Sequence, residues 1–178
     1  MLIVGPGRKA PSSGPQGYWT AAWATTTVVL GLTVLVGWMW DVALLKSVFP
    51  GVVEMKANTA VGLVLAGVSL LLLSSARTHA GRRWTGLAAA GLTLLLGALT
   101  LSQFVFGCDL GIDELLFRDS AGAVYTAIPG RMSWLTALDF VLVASALILL
   151  GTRRAIVASQ QSSASDDSRE LDTTSSVT

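Results

Sequence analysis

Charge, cysteine and histidine are what this chain has least of. Charged residues make up only 13% of the 178, about half the share of an average soluble domain, which is near a quarter. The single Cys108 excludes an internal disulfide, a CxxC redox pair and a metal site built from cysteines. The single His79 excludes a haem held by two histidines. Those two counts remove quinone-linked thiol oxidases and cytochrome b type bundles together. The net charge is +1, and no basic stripe is interleaved with aromatics, so nucleic acid is not an expected partner. No cofactor is implied.

What the chain has instead is apolar length. Apolar residues make up 52%, mean hydropathy is +0.64, and uncharged runs of about 20 residues, enough to cross a bilayer, alternate with short charged connections. The expected fold is all-α and integral to a membrane. Four spans are predicted at about 19–40, 57–76, 84–106 and 133–150, within a membrane domain over 18–152. The segment 1–17 carries Gly5, Pro6, Gly7, Pro11, Gly14 and Pro15. It reads as a disordered tail rather than a signal peptide. The segment 153–178 is rich in Ser, Thr and Asp and too polar to offset its own ordering entropy, so it too is expected to be disordered.

Basic residues set the expected orientation. The N-terminal tail, the connection between the second and third spans, and the start of the C-terminal tail hold Arg8, Lys9, Arg77, Arg82, Arg83, Arg153 and Arg154. The other two connections hold Lys46, Lys56, Arg118 and Arg131. This asymmetry predicts both termini in the cytoplasm. Trp19, Trp23 and Trp84 then mark the inner interface, and Trp38, Trp40 and Trp134 the outer one.

The sequence also repeats. MKANTAVGLVLAGVSLLLL from Met55 is echoed by MSWLTALDFVLVASALILL from Met132, with identities that include Met55/Met132, Thr59/Thr136, Ala60/Ala137 and Val64/Val141. GLTVLVG at Gly31–Gly37 is echoed by GLTLLLG at Gly91–Gly97. The expected architecture is two tandem helical hairpins, N-in and C-in, related by an axis along the membrane normal.

A few residues stand out as candidates for chemistry. Asp139 is the only charge inside a predicted span. Such a group by default marks a functional site facing the bundle interior or water, and Gln103 lies at similar depth as its expected partner. Hydrogen bonding across the bundle is the bland reading of that pair. The outer loop 107–131 opens with GCDLGIDELLFRD. Leu110, Ile112, Leu115, Leu116 and Phe117 suit a short amphipathic helix, with Asp109, Asp113, Glu114 and Arg118 presented to water as a ligand surface. The acids lack the spacing of an EF-hand, so no metal is assigned. Arg77, Arg82, Arg83, Arg153 and Arg154 form a basic cluster at the inner membrane surface, suited to anionic lipid and equally to setting topology. Small residues such as Gly62, Ala66, Gly67, Ala144 and Ala146 permit close helix packing, with a homodimer face as their second use.

Three strings, FPGVVEMKANTAVGLVLAGVSLLLL, FVFGCDLGIDELLFRD and PGRMSWLTALDFVLVASALILL, carry a family resemblance. They resemble an N-terminal membrane region of bacterial sensor histidine kinases and diguanylate cyclases. Ala57 stands where that pattern usually has proline, and Trp134-Leu135 replace its Pro-Asn. The resemblance implies a non-enzymatic signal-input role in the bacterial inner membrane. No kinase or cyclase module lies within these residues, so a separate signalling partner is expected. A structural subunit of a larger membrane complex is the alternative. A small transporter or channel using Asp139 comes third.

Overall fold

The computed structural model describes residues 15–46, 54–75, 79–117 and 130–175. Among these there are five α-helices and no strands: α1 (Pro15–Met39), α2 (Ala43–Lys46), α3 (Ala57–Ser74), α4 (Ala80–Phe106) and α5 (Trp134–Ser175). α1, α3, α4 and α5 are each long and apolar enough to cross a membrane. That is the pattern of an integral membrane protein.

The four long helices match the expected spans in number and place but differ at their ends. α1 begins at Pro15, earlier than expected. Proline suits a first helical position, where its missing N–H has no partner to lose. α4 begins at Ala80, so Arg82 and Arg83 lie on the helix rather than in a loop. The largest difference is α5, a 42-residue helix that runs through Gly151 to Ser175, where a stop and a disordered tail were expected. Gly151 is buried, and a Cβ there would meet Leu87 Cδ2 at 2.7 Å. The glycine therefore serves close packing rather than termination, and neither proline nor glycine follows it. Of the other expected tail, residues 1–14 lie outside the described residues.

α1 packs on α3 and α4 on α5, while α3 also meets α4 and, less extensively, α5. α1 touches neither α4 nor α5 among the described residues, so it lies against the outside of a three-helix group. The contact faces are made of small residues. Ala24, Ala60, Ala90, Ala137 and Ala144 are fully buried, together with Ser69, Thr93 and Thr100. Lipid offers no hydrophobic drive between apolar helices, so close backbone approach and dispersion hold them together. Two such approaches look alike. A Cβ on Gly31 of α1 would stand 2.7 Å from the Ala60 carbonyl oxygen of α3 and touch Val64. A Cβ on Gly97 of α4 would stand 2.7 Å from the Ala137 carbonyl oxygen of α5 and touch Val141.

Apolar clusters fill both ends. Val34, Trp38, Ala57 and Ala60 form one, joined by Phe117 from the loop. Met132, Ala137 and Phe140 form a second, against Leu63, Leu96 and Leu101. Ala66, Leu73, Ala90 and Leu147 form a third toward the opposite end.

Candidate functional site

The polar groups of the bundle concentrate at the end where α1 and α4 finish and α3 and α5 begin. α4 ends at Phe106 and is followed by Gly107, whose left-handed backbone (φ 63°) is the usual glycine cap of a helix C-terminus. The chain then turns back across the bundle end as an irregular cap, residues 107–117, with a second left-handed glycine at Gly111 (φ 66°). The expected amphipathic helix is absent from these residues. Side chains of the neighbouring helices anchor the irregular backbone instead. Gln103 Oε1 accepts from the Leu110 N–H at 2.9 Å, and Asn58 Nδ2 donates to the carbonyls of Ile112 and Asp113, both at 3.2 Å.

Arg131 is the centre of this end. Its Nε donates to Asp113 Oδ2 at 2.7 Å, and its Nη2 donates to Gln103 Oε1 at 2.9 Å. Asp109 Oδ1 lies 3.3 Å from the same Nη2. Gln103 Nε2 in turn donates to Asp113 Oδ1 at 3.2 Å. Arg131 and Asp113 are each only 5% exposed at the side chain, so this is a buried ion pair whose remaining donors and acceptors are taken up by an amide. The guanidinium also lies 5.6 Å from the Phe104 ring, within cation–π range. Gly130 (φ 70°) lets the chain reach this position, since a Cβ there would lie 2.7 Å from the Asp113 carbonyl oxygen.

The cap reaches the first hairpin as well. Phe117 lies 5.9 Å from the Trp38 ring, centroid to centroid, and the Trp38 indole N–H donates to the Met55 carbonyl at 2.9 Å. Lys46, buried to 3%, pairs with the exposed Asp41 and lies 4.5 Å from the Trp38 ring centroid. Each hairpin thus places one buried cation near an aromatic ring in the last turn of its first helix.

Several expected positions change in consequence. Asp113 does not face water; it is buried against Arg131. Asp109 and Glu114 are exposed, as expected of a solvated surface. Arg118 lies outside the described residues. Asp139 and Gln103 do not meet. The buried face of α5 runs through Ala137, Phe140, Ala144, Leu147 and Gly151, spaced at helical period. Asp139 falls off that stripe and is exposed beside Leu138, Leu142 and Val143. Trp38, expected at an interface, is buried at 7%. Arg131 was visible only as a loop charge. Its pairing with Asp113 had one signal, that both lie in the two most distinctive strings, GIDELLF and PGRMS.

The opposite end is built differently. Arg154 Nη1 donates to the Leu73 carbonyl at 2.6 Å, and Arg82 Nη2 donates to the Leu71 carbonyl at 3.4 Å. Both therefore sit against the negative C-terminus of α3. Arg83 Nε is buried with no hydrogen-bond partner, and its guanidinium lies 5.6 Å from the Trp84 ring. Arg153 is exposed, and Arg77 lies outside the described residues. Trp19, Trp23 and Trp84 are exposed at this end.

Among the described residues no group of three or more His, Cys, Asp or Glu side chains is placed to hold a metal ion. Asp113 and Asp109 engage Arg131 instead. No protein-family model, curated protein or solved structure matches the chain.

Proposed function

We propose that this is a non-enzymatic signal-input protein of the bacterial cytoplasmic membrane, with both termini in the cytoplasm, acting through a separate signalling partner. One observation carries the reading. The GIDELLF and PGRMS strings and the Asn58 of MKANTA, which bear the family resemblance, meet in one folded cap that ties both hairpins together. A stimulus that displaces the cap would release Arg131 at the head of α5. Since α5 is one helix from the cap to Ser175, a small shift or rotation there would be felt at its far end.

The tandem-repeat architecture belongs to the same proposal. Gly31 and Gly97 meet their partner helices at Ala60/Val64 and Ala137/Val141, the pairs that the sequence echo matches. Asp41 and Gly107, the residues just beyond α1 and α4, both have left-handed backbones (φ 54° and 63°). In this register α1 and α4 are offset by 66 positions (31 to 97), and α3 and α5 by 77 (60 to 137). The second connection is therefore longer by 11 residues (77 less 66).

The accessory-subunit reading keeps one point in its favour, the single-sided packing of α1. For the transporter reading, the outward position of Asp139 gives no support to the polar path it requires.

Two experiments test the proposal. Cys108 is exposed in the cap and is the chain's sole cysteine. A membrane-impermeant maleimide should label it in intact spheroplasts; labelling only after lysis would reverse the orientation. Mild-detergent purification from native membranes should then bring down a histidine kinase or a cyclase. A metabolic complex in its place would make the chain an accessory subunit.

A further inference from the structure

We propose that the end of the bundle opposite the cap binds the headgroup of an anionic phospholipid, with Arg83 as the residue that takes its phosphate. The starting point is an imbalance of charge. Arg82, Arg83, Arg153 and Arg154 gather where α3 ends, α4 begins and α5 passes Gly151. No Asp or Glu occurs from Ala57 to Phe106 or anywhere before Asp41. On α5 the next acid beyond Arg154 is Asp166, about 18 Å further along the helix at 1.5 Å per residue. The described protein supplies these guanidinium groups with no carboxylate.

The arginines solve this differently. Arg82 and Arg154 turn to the carbonyls of Leu71, Leu73 and Ser75 at the end of α3. Arg83 does not: its side chain is partly exposed, and its Nε is a covered donor without an acceptor. A buried, unsatisfied charged donor is costly, and native structures rarely leave one unless something outside the chain supplies the partner. A phosphate suits it, because the guanidinium fork presents parallel N–H groups to two phosphate oxygens. A side chain on a helix leans toward the N-terminus, which carries the Arg83 group over the start of α4. His79, the residue preceding α4, makes no side-chain capping bond there, so the helix dipole adds to the attraction for an anion.

Lipid rather than a soluble anion follows from depth. Trp84 lies directly beside the Arg83 guanidinium and is exposed, as are Trp19 and Trp23. Tryptophans so placed on spanning helices sit at headgroup level, where the phosphates of the lipids themselves are found.

The test is native mass spectrometry of the full chain released from detergent, after incubation with equal amounts of phosphatidylglycerol or phosphatidylcholine. The wild type should retain phosphatidylglycerol in preference. Arg83→Gln should lower that retention about fivefold, the worth of one arginine at an anionic surface. Arg83→Lys, which keeps the charge and loses the fork, should fall between the two. Arg153→Gln removes an exposed arginine at the same end and should change retention less than Arg83→Gln does. Equal losses in Arg83→Gln and Arg153→Gln would reduce the effect to general surface potential and overturn the site. So would equal retention of the two lipids by the wild type. Inorganic phosphate alone should not raise the thermal stability of the detergent-solubilised protein. Stabilisation by it equal to that from phosphatidylglycerol would assign the site to a soluble anion instead.

Discussion

The two ends of this bundle handle positive charge in opposite ways. At the capped end Arg131 and Lys46 are buried and each is matched by an acid of the same chain, Asp113 and Asp41. At the other end Arg82 and Arg154 lean on helix carbonyls, Arg83 has a donor unmet, and Arg153 is exposed. The first end has its cations answered from within: Arg131 holds the cap and Lys46 its own connection, while Asp109 and Glu114 stay exposed. The second is open, with charge left over for whatever lies against it. A count of basic residues treats the ends as more and less positive, whereas the structure separates them by whether the charge is already answered.

The strongest way to break this comparison is at Arg131. Truncating one member of a buried ion pair leaves the other charge desolvated, which costs about 3–5 kcal/mol. Arg131→Ala should therefore lower stability by that order, read from denaturant unfolding in mixed micelles. Arg131→Lys should lose less, since it keeps the charge but not the geometry that serves Asp113 and Gln103 together. Arg154→Ala removes a partly exposed cation at a helix C-terminus and should cost under about 1 kcal/mol. Equal losses at Arg131 and Arg154 would mean that the cap is held by its apolar contacts, Phe117 on Trp38 above all, and that the ion pair is incidental.

Glycines sharpen the same contrast with smaller effects. Gly130 has a left-handed backbone, and a Cβ on it would lie 2.7 Å from the Asp113 carbonyl oxygen, so Gly130→Ala adds both strain and a clash. A loss of about 1–3 kcal/mol is expected, together with faster maleimide labelling of Cys108 as the cap loosens. Gly81, in the first turn of α4, has no atom within 4 Å of its ideal Cβ and no positive φ. Gly81→Ala should leave labelling unchanged and stabilise the protein by up to about 1 kcal/mol, the difference in helix propensity.

Legibility in the sequence followed the range of the interaction. The four spans were readable because each depends on about 20 consecutive apolar residues, a local property. The echo at Ala60/Ala137 and Val64/Val141 was readable, and each of those residues meets a glycine of a neighbouring helix. The register of the glycines was not. Matching GLTVLVG with GLTLLLG pairs Gly31 with Gly91, yet it is Gly97 of α4 that a partner helix approaches, and Gly91 has open space around it. Leucine-rich strings match at several shifts, and only the partner helix selects one. The cap was misread for a different reason. Leu110, Ile112, Leu115, Leu116 and Phe117 have a helical spacing, but Gln103 and Asn58, distant in sequence from parts of that loop, bind its backbone and hold it irregular. Asp139 was misread through its rarity. A carboxylate in a span draws attention, yet helical period already placed it off the Ala137–Phe140–Ala144 stripe.

That last point yields the smallest expected effect and a direct control on the rest. Asp139 is exposed on α5 and, among the described residues, makes no hydrogen bond or ion pair. It lies about five residues, some 7–8 Å, inside Trp134 along the helix axis, near the boundary and with no partner that the substitution would strip. Asp139→Asn should therefore shift stability by no more than about 0.5 kcal/mol and leave Cys108 labelling as it was. Asp113→Asn makes the same chemical change at the capped end, where it removes the charge opposite a buried Arg131. It should cost several times more and speed labelling. If the two substitutions proved equally harmful, Asp139 would have to be covered by something outside this chain. A cation from a partner helix would be the first candidate, and the lipid-facing side of α5 would then be an interface.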